Sequence, residues 1–321
     1  MDIEVKKYKE FDVYHLEDNY SFFHIKISDE DIFYEQLSKF FLEEDNLIKY
    51  IENSKDIEIE ADNEIMEYIY DLLYIFIDEK NDEMDITNLE ENLKGIMQEE
   101  AEEVREEKTK TFIRLSKIGR FGEFIMSSIL KDFFQFDCII PKLKLTTDRN
   151  MSVYGIDTVY MNTDEKLLLF GESKISKNLD NAVKLINKSL DEYEKNIEEE
   201  YILIFKNNCL KKLKEFETYY NEQKSNGICL TFKDFITTAN ITKIGIPIFM
   251  AHGNEKDSQK IIEKLKKTIK RKNFFDIETE YYLISLPIID KSKFTLTFTK
   301  IVKEKKEEYE SIIRNSNVTE M

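Results

Sequence analysis

The stretch YGIDTVYMNTDEKLLLFGESK, residues 154–174, decides our interpretation of the fold. Two apolar runs, YGIDTVY and KLLLFGESK, flank the turn-forming residues MNTDE, and this pattern predicts an antiparallel β-hairpin. We expect Met161 to pair with Lys166 across the hairpin, which places Asp157 diagonal to Glu172. The predicted register therefore places the carboxylates of Asp157 and Glu172 close together.

Three charged side chains are expected on one face of this hairpin. Side chains alternate between the two faces of a strand, so Glu172 and Lys174 share a face with Asp157. Diagonal neighbours lie ~7–8 Å apart at Cα, which is close enough for two carboxylates to bind one cation. A register shift of two residues would keep this face, whereas a shift of one residue would destroy it.

Carboxylates held this close repel each other, which favours a shared proton or a divalent metal ion. Mg²⁺ or Mn²⁺ is the expected ion because the ligands are hard oxygens, including the backbone carbonyl of Ser173 and waters. Lys174 would orient or deprotonate a metal-bound water, or stabilise charge on a phosphate. The pattern predicts metal-assisted phosphodiester hydrolysis. A structural salt bridge of Asp157 and Glu172 with Lys174, without catalysis, would explain the same three residues.

A helix predicted upstream, GRFGEFIMSSIL, carries a third carboxylate, Glu123. Gly119 and Ser127 lie one turn on either side of it, and small neighbours let a helix approach a sheet closely. We therefore expect Glu123 to reach the same metal ion, directly or through water.

These residues carry a family resemblance. The order of a helical glutamate, a strand aspartate in GID at 155–157 and a Glu-x-Lys in ESK at 172–174 resembles the PD-(D/E)XK nuclease superfamily. Tyr154 stands before GID, where the superfamily name has proline. More narrowly, GRFGE, YGIDTVY, GESK, IGIPIFM and YYLISLPI resemble the HamA family, the nuclease subunits of the Hachiman anti-phage defence system, over roughly residues 100–300.

The resemblance implies a function and a set of partners. It implies a metal-dependent DNA endonuclease that requires Mg²⁺ or Mn²⁺, acts in a two-component anti-phage system and is restrained by a superfamily 2 helicase of the HamB type. Cutting both strands would need two sites, hence either a dimer in the active state or sequential nicks. The implied catalytic residues are Asp157, Glu172, Lys174 and Glu123, and the implied metal positions are Asp157, Glu172, Ser173 and Glu123.

Two alternatives remain open at the level of the sequence. One is a catalytically inactive module with a nuclease fold that binds a partner or DNA. The other is an RNA-directed nuclease, because the metal chemistry is common to both nucleic acids.

The order of predicted elements indicates an α/β fold with a restriction-endonuclease-like mixed sheet flanked by helices over residues 106–321. Residues 1–105 are predicted to be an acidic, mainly helical portion with a short hairpin at YHLEDNY and SFFHIKIS. The runs CIIPKLKL, YILIFK, IGIPIFMAH, YYLISLPII and FTLTFTKIV are predicted as strands. A single long helix is predicted for NLDNAVKLINKSLDEYEKNIEE.

Charge is distributed unevenly along the chain, whose net charge is −18. Residues 1–110 hold 34 acidic and 12 basic side chains, whereas residues 111–321 hold 31 acidic and 35 basic ones. We expect the acidic portion to serve solubility and partner docking, or to mask the nuclease face by competing with DNA phosphates.

A basic helix is predicted at EKDSQKIIEKLKKTIKRK, residues 255–272. It is either a solvated basic face or a surface that contacts phosphates. The candidate nucleic-acid-binding residues are Lys177, Lys264, Lys267, Lys270 and Arg271.

Other classes of protein are disfavoured by the sequence. The three cysteines show no CxxC spacing and the three histidines are scattered, so neither a disulfide framework nor a zinc site is indicated. No run of ~18 apolar residues and no apolar stretch of signal-peptide length is found. We therefore expect a cytoplasmic protein without a membrane segment.

Overall fold

The computed structural model describes residues 4–7, 11–17, 20–27, 29–43, 46, 118–140, 155–162, 164–176, 178–206, 221, 231–253, 257–287 and 291–319. The predicted boundary between residues 105 and 106 lies outside these ranges, as do NEIMEYIYDLLYIFIDE (63–79) and ITNLEENLKGIMQEEAEEVREEK (86–108), which are both predicted to be helical. The acidic, mainly helical character of the N-terminal portion therefore stays a prediction.

The described residues form one eight-stranded mixed sheet. Its strands are β1 Glu4–Lys7, β2 Phe11–Glu17, β3 Tyr20–Ile25, β4 Asp137–Ile140, β5 Thr158–Asn162, β6 Leu167–Ser176, β7 Lys243–His252 and β8 Glu278–Leu286. Their order across the sheet is β1-β2-β3-β8-β7-β6-β5-β4. The pairs β3/β8, β8/β7 and β7/β6 are parallel, and the other neighbours are antiparallel.

Within the described ranges the helices are α1 Glu30–Leu42, α2 Ile118–Ser128, α3 Leu179–Asp191, α4 Tyr193–Lys206, α5 Phe232–Thr238, α6 Ser258–Thr268 and α7 Lys291–Thr319. Of these, α3, α4, α5 and α6 pack against the sheet, and α2 contacts β6 at Gly122, which confirms the predicted α/β class. A π-helical turn, Ile129–Phe133, continues α2. Side chains of Asn178 and Asp257 accept first-turn N–H groups of α3 and α6, which fixes where these helices begin. None of these helices is both long and apolar enough to cross a membrane.

The chain divides into two compact units. The first comprises Met1–Lys26 and Gly122–Pro287, and the second comprises Ile27–Phe121 and Ile288–Met321. The hairpin predicted near the N-terminus is present as β2 and β3. Because β3 pairs in parallel with β8, the N-terminal strands belong to the same sheet as the strands predicted for residues 106–321.

The core of the first unit lies on one face of the sheet. Phe170 of β6, Ile248 of β7 and Leu283 of β8 are buried there against α3, α4, α5 and α6. Burial of each such side chain contributes ~1.5–3 kcal/mol. On the other face, a Cβ added at Gly122 of α2 would lie 3.3 Å from Ser173 Oγ, so this part of α2 packs closely on β6.

The second unit contains an aromatic cluster. The ring of Phe121 lies 5.3 Å from that of Phe41, 4.9 Å from Phe294 and 4.4 Å from Phe298, all in edge-on arrangements. Such pairs add ~0.5–1.5 kcal/mol beyond their burial. The predicted strand FTLTFTKIV is wrong, since these residues lie in α7. Its aromatic residues recur four positions apart, as on one face of a helix.

Two further predictions in this region are wrong. The run YILIFK ends α4 instead of forming a strand, because Ile197, Tyr201 and Ile204 recur at spacings of four and three and are buried together. The single long helix predicted before it is two helices, α3 and α4. They are separated at Glu192, whose φ of −104° and ψ of 6° depart from helical values.

The hairpin of β5 and β6 has a different register from the predicted one. Met161 pairs with Leu168, not with Lys166, so the register is shifted by two residues. The hairpin closes at the pair Asn162 and Leu167, so the turn lies one residue further along the chain than predicted; Lys166, the last residue before β6, adopts a φ of 54°, in the left-handed region. A two-residue shift retains the side-chain faces, so the predicted grouping of charged residues is unaffected.

Candidate active site

Asp157 lies immediately before β5 and is fixed by β6. Its backbone N–H donates to the carbonyl of Gly171 at 2.9 Å. Continuing the register of β5 and β6 by one residue sets Asp157 opposite Glu172, where Cα atoms of paired strands lie ~4.5–5.5 Å apart. Asp157 Oδ2 accepts two hydrogen bonds from Ser173, from N–H at 2.6 Å and from Oγ at 2.9 Å.

Glu172 is the most buried charged residue of this group, with 1% exposure. Its Oε1 accepts a hydrogen bond from Ser189 Oγ of α3 at 2.7 Å and forms a salt bridge with Lys174 Nζ. Its Oε2 is buried and has no hydrogen-bond partner. Such an atom costs free energy unless a ligand satisfies it.

Lys174 follows Glu172 by one pleat and is more accessible, since 28% of its side chain is exposed. Burial alone would lower the pKa of Lys174. The negative charges of Glu172 and Asp157, the hydrogen bond to Glu172 and the charge of Glu123 outweigh burial and raise it above its ordinary value. Lys174 is therefore a cation at neutral pH.

Glu123 is held on α2 with 8% exposure. Its charge contributes to the raised pKa of Lys174, so it lies within electrostatic range of that ammonium. The adjacent Gly122 lies against β6, since a Cβ there would be 3.3 Å from Ser173 Oγ and 3.3 Å from Ile175 Cγ1, which is tighter than most such contacts. The close approach that the small residues predict is therefore observed, although at Gly122.

The electrostatics of the group centre on Glu172. Burial, then the charge of Asp157, raises the pKa of Glu172 to about 7, against the opposing effect of Lys174 and the hydrogen bond from Ser189. The buried hydroxyl of Tyr193 also has a raised pKa, through burial and the charges of Glu172 and Asp157. Adding a positive charge beside Glu172 would relieve this unfavourable charge.

The carboxylates of Glu172 and Asp157 offer oxygen ligands to a divalent cation. Glu172 Oε2 is a buried oxygen without a partner, and Asp157 supplies a second carboxylate beside it. Carboxylate and carbonyl oxygens are the donors that Mg²⁺ and Mn²⁺ take. The residues present therefore fit such an ion. However, the described residues contain no group of three or more His, Cys, Asp or Glu side chains placed to hold a metal.

The predicted nucleic-acid-binding residues separate into two sets. Lys264 pairs with Asp180 of α3 at 2.6 Å, and Lys270 pairs with Asp191 at 2.8 Å. Lys267 and Arg271 instead line a cavity. Lys177 lies outside the described residues.

Ser189 and Tyr193 were not found from the sequence. Ser189 occupies a position of the apolar stripe of α3, between Ile186 and Leu190, and Tyr193 follows one turn later. The Tyr193 hydroxyl donates to the carbonyl of Phe170 at 2.8 Å. A hydroxyl residue within the apolar stripe of a helix could have indicated such a contact from the sequence. A buried hydroxyl needs a polar partner, and here that partner lies on the facing strand.

A comparison with family models matches the HamA family over residues 2–302 of 321. The chain belongs to the HamA family. Membership of this family supports a role in anti-phage defence. Searches of curated proteins and of solved structures found no significant match. Asp157, Glu172 and Lys174, which lie together in the structure, stand in the segments YGIDTVY and GESK that carry the family resemblance.

Proposed function

We propose that this HamA-family protein is a metal-dependent deoxyribonuclease that acts as the effector of an anti-phage defence system. The observation that carries the proposal is the state of the Glu172 carboxylate. One oxygen is bound by Ser189 and Lys174, and the other, Oε2, is buried without a partner beside Asp157. A divalent cation would satisfy that oxygen and offset the repulsion between the two carboxylates.

The proposed roles follow from the contacts of each residue. Asp157, Glu172 and the carbonyl of Ser173 would hold Mg²⁺ or Mn²⁺, with Glu123 acting directly or through water. The bound ion would supply a Lewis acid for the phosphate and lower the pKa of an attacking water. Ser173 keeps Asp157 oriented by two hydrogen bonds, and Ser189 keeps Glu172 Oε1 in place.

Lys174 is assigned one of the two roles that the sequence left open. Its raised pKa keeps it protonated at neutral pH, so it is a poor base for removing a proton from water. A cation that is partly exposed can instead stabilise negative charge that develops on the scissile phosphate. We therefore assign Lys174 to electrostatic stabilisation.

The direct test is cleavage of a supercoiled plasmid by the purified protein in Mg²⁺ or Mn²⁺, with EDTA as the blank. We expect Glu172→Gln and Lys174→Gln each to lower the rate by ~10²–10³-fold, the range for loss of one preorganised electrostatic group. Glu198→Gln is the matched control because Glu198 is an exposed glutamate of α4. Cleavage that persists in the Glu172→Ala, Lys174→Ala double variant would refute the proposal. RNA offered to the same preparation tests the RNA-directed alternative.

A second candidate function, binding without cleavage, is favoured by two observations. Lys174 already neutralises Glu172, and no group of three metal-ligating side chains is present among the described residues. Calorimetry with Mn²⁺ at pH 8 separates the two functions. A nuclease centre should give binding heat that is lost in Asp157→Asn, whereas a binding module should give the same trace for wild type and variant.

The proposed partner is a superfamily 2 helicase of the HamB type, as the family resemblance implies. The strongly acidic N-terminal portion offers a surface for a basic partner. Co-expression tests this directly: the helicase should co-purify with the chain and lower plasmid cleavage. A helicase that does not co-purify would remove it as the restraining partner.

A further inference from the structure

A basic cavity lies beside the start of β8 and the end of α6. It measures about 630 Å³ and is lined by Lys266, Lys267, Ile269, Arg271, Lys272, Asn273, Thr279 and Tyr281. Four of these residues carry positive charge and none carries negative charge. The lining is therefore complementary to an anion.

The cations of this segment lie in two places. Lys264 and Lys270 face α3, where Asp180 and Asp191 neutralise them. Lys267 and Arg271 are exposed and line the cavity. Lys264 and Lys270 therefore lie on the side of the segment that faces α3, and Lys267 and Arg271 lie at the cavity.

The wall of the cavity is held in place by buried groups. The Tyr281 hydroxyl accepts from the backbone N–H of Lys272 at 3.0 Å and donates to its carbonyl at 2.8 Å. The hydroxyl of Thr279, with 0% exposure, accepts from the N–H of Phe274 at 3.0 Å. The Arg271 guanidinium lies 5.1 Å from the centre of the Tyr20 ring. These contacts order the loop before any ligand binds, which lowers the entropic cost of binding.

The size of the cavity narrows the class of ligand. At about 630 Å³ it lies within the range of ~300–1,000 Å³ for small-molecule sites and exceeds the needs of a single inorganic phosphate. Arginine and lysine side chains together favour phosphate, arginine through paired hydrogen bonds and lysine as a point charge. A group of linked phosphates matches both the volume and the charge.

We propose that this cavity is a binding site for linked phosphates, supplied either by a nucleic-acid backbone or by a free polyphosphate. Its residues on β8 lie two strands along the sheet from β6, which carries Glu172. It requires no metal and no cleavage. Phosphate binding at this cavity can therefore be measured whether or not the protein cleaves DNA.

The test measures binding in EDTA, so that catalysis plays no part. The probes are a fluorescein-labelled 12-nucleotide single-stranded DNA and inorganic tripolyphosphate. The cavity variant is Lys267→Gln, Arg271→Gln. The matched control is Lys264→Gln, Lys270→Gln, which removes the same charge from the same segment. We expect the cavity variant to weaken binding at least tenfold and the control less than threefold.

The salt dependence gives a second readout. Loss of two phosphate contacts should make the slope of log K against log salt less steep by about 1.4, at ~0.7 per contact with a single strand. Tripolyphosphate that displaces the DNA indicates a shared phosphate site. DNA binding without tripolyphosphate binding indicates the nucleic-acid backbone, and the reverse indicates a free polyphosphate.

Two results would overturn the proposal. One is equal weakening by the cavity variant and the control, which would mean general electrostatic attraction. The other is failure of both probes to bind the wild-type protein at 50 mM salt. Because Arg271 also contacts Tyr20, the single variant Lys267→Gln is measured in parallel with thermal melting. Lys267 is exposed, so its substitution should leave the melting temperature unchanged and still weaken binding.

Discussion

Replacing Glu172 by glutamine should stabilise the metal-free protein at pH 8 while removing its proposed activity. The pKa of Glu172 is raised from 4.5 to about 7, chiefly by burial and then by Asp157. The favourable effect of Lys174 is already included in that value. Glutamine resembles the protonated acid in shape and charge, so it removes the cost of the buried negative charge.

The magnitude follows from linkage between protonation and folding. At ~1.36 kcal/mol per pKa unit, the shift corresponds to about 3 kcal/mol. Because the pKa in the folded state is higher than in the unfolded state, the cost is absent below pH 4.5. It grows as the pH rises towards 7 and is complete above pH 7. For a unit of this size, 3 kcal/mol corresponds to roughly 6–12 °C in Tm.

The assay is urea unfolding followed by circular dichroism in EDTA at pH 4.5, 6, 7 and 8. The difference in the free energy of unfolding between Glu172→Gln and wild type should rise from near zero to about 3 kcal/mol. Glu198→Gln, at an exposed position, should show no such rise. Adding Mn²⁺ at 100 times its Kd should stabilise wild type by ~2.7 kcal/mol and leave Glu172→Gln unchanged.

Two outcomes would refute this reasoning. A stability difference that does not vary with pH would mean that the pKa of Glu172 is not raised by folding. A wild-type protein more stable than the variant at pH 8 would mean that the salt bridge with Lys174 outweighs the burial of the carboxylate.

Two further predictions concern neighbours of the site. Ser189→Ala removes a hydrogen bond to ionised Glu172 that is worth ~1 kcal/mol. The pH of half-maximal Mn²⁺ binding, measured by calorimetric titration, should therefore rise by about 0.7 unit. Ser189→Thr keeps the hydroxyl and should restore the wild-type pH. Gly171→Ala should lower the free energy of unfolding by ~1–3 kcal/mol in urea titrations, because the new Cβ would lie 2.1 Å from Thr158 Oγ1. Gly119→Ala in α2 is the control, because a Cβ there would have no atom within 4 Å. It should raise the free energy of unfolding by up to ~1 kcal/mol.

The grouping of Asp157 with Glu172 was predictable because it depends on a period of two. The turn lies one residue further along the chain than predicted, which shifts the register by two residues, yet the side chains keep their faces. The local pattern therefore determined the geometry of the hairpin well enough to bring the carboxylates together. Ser189 was not predictable in this way, since its contact with Glu172 depends on how α3 packs on β6.

The errors in secondary structure have a common cause. YILIFK and FTLTFTKIV are short runs rich in apolar and β-branched residues, which satisfy the period of a strand and that of a helix alike. Their state is decided by the partners they meet. Phe298 packs against Phe41 and Phe121, and Tyr201 packs against Phe235, at positions that only the helical spacing brings together.

Long-range pairing also limited what the sequence could show. Lys270 was predicted to contact nucleic acid, but its partner Asp191 lies 79 positions away in the chain. The histidines appeared scattered, yet His252 Nε2 lies 2.8 Å and His24 Nδ1 3.4 Å from Ser285 Oγ. Neither contact can be recognised from neighbouring residues in the sequence, because each joins elements that are distant in the chain and meet only in the folded protein.

The parallel pairing of β3 with β8 has a consequence for how the chain folds during synthesis. His24 and Ser285, which meet across this pair, are 261 residues apart. At a synthesis rate of ~5–20 residues per second, β3 waits about 10–50 s for its neighbour. Both strands of the β5–β6 hairpin and β7 leave the ribosome during that interval. The edge of β3 must therefore be protected from wrong pairing until translation is almost complete, which makes this strand the expected point of contact for chaperones.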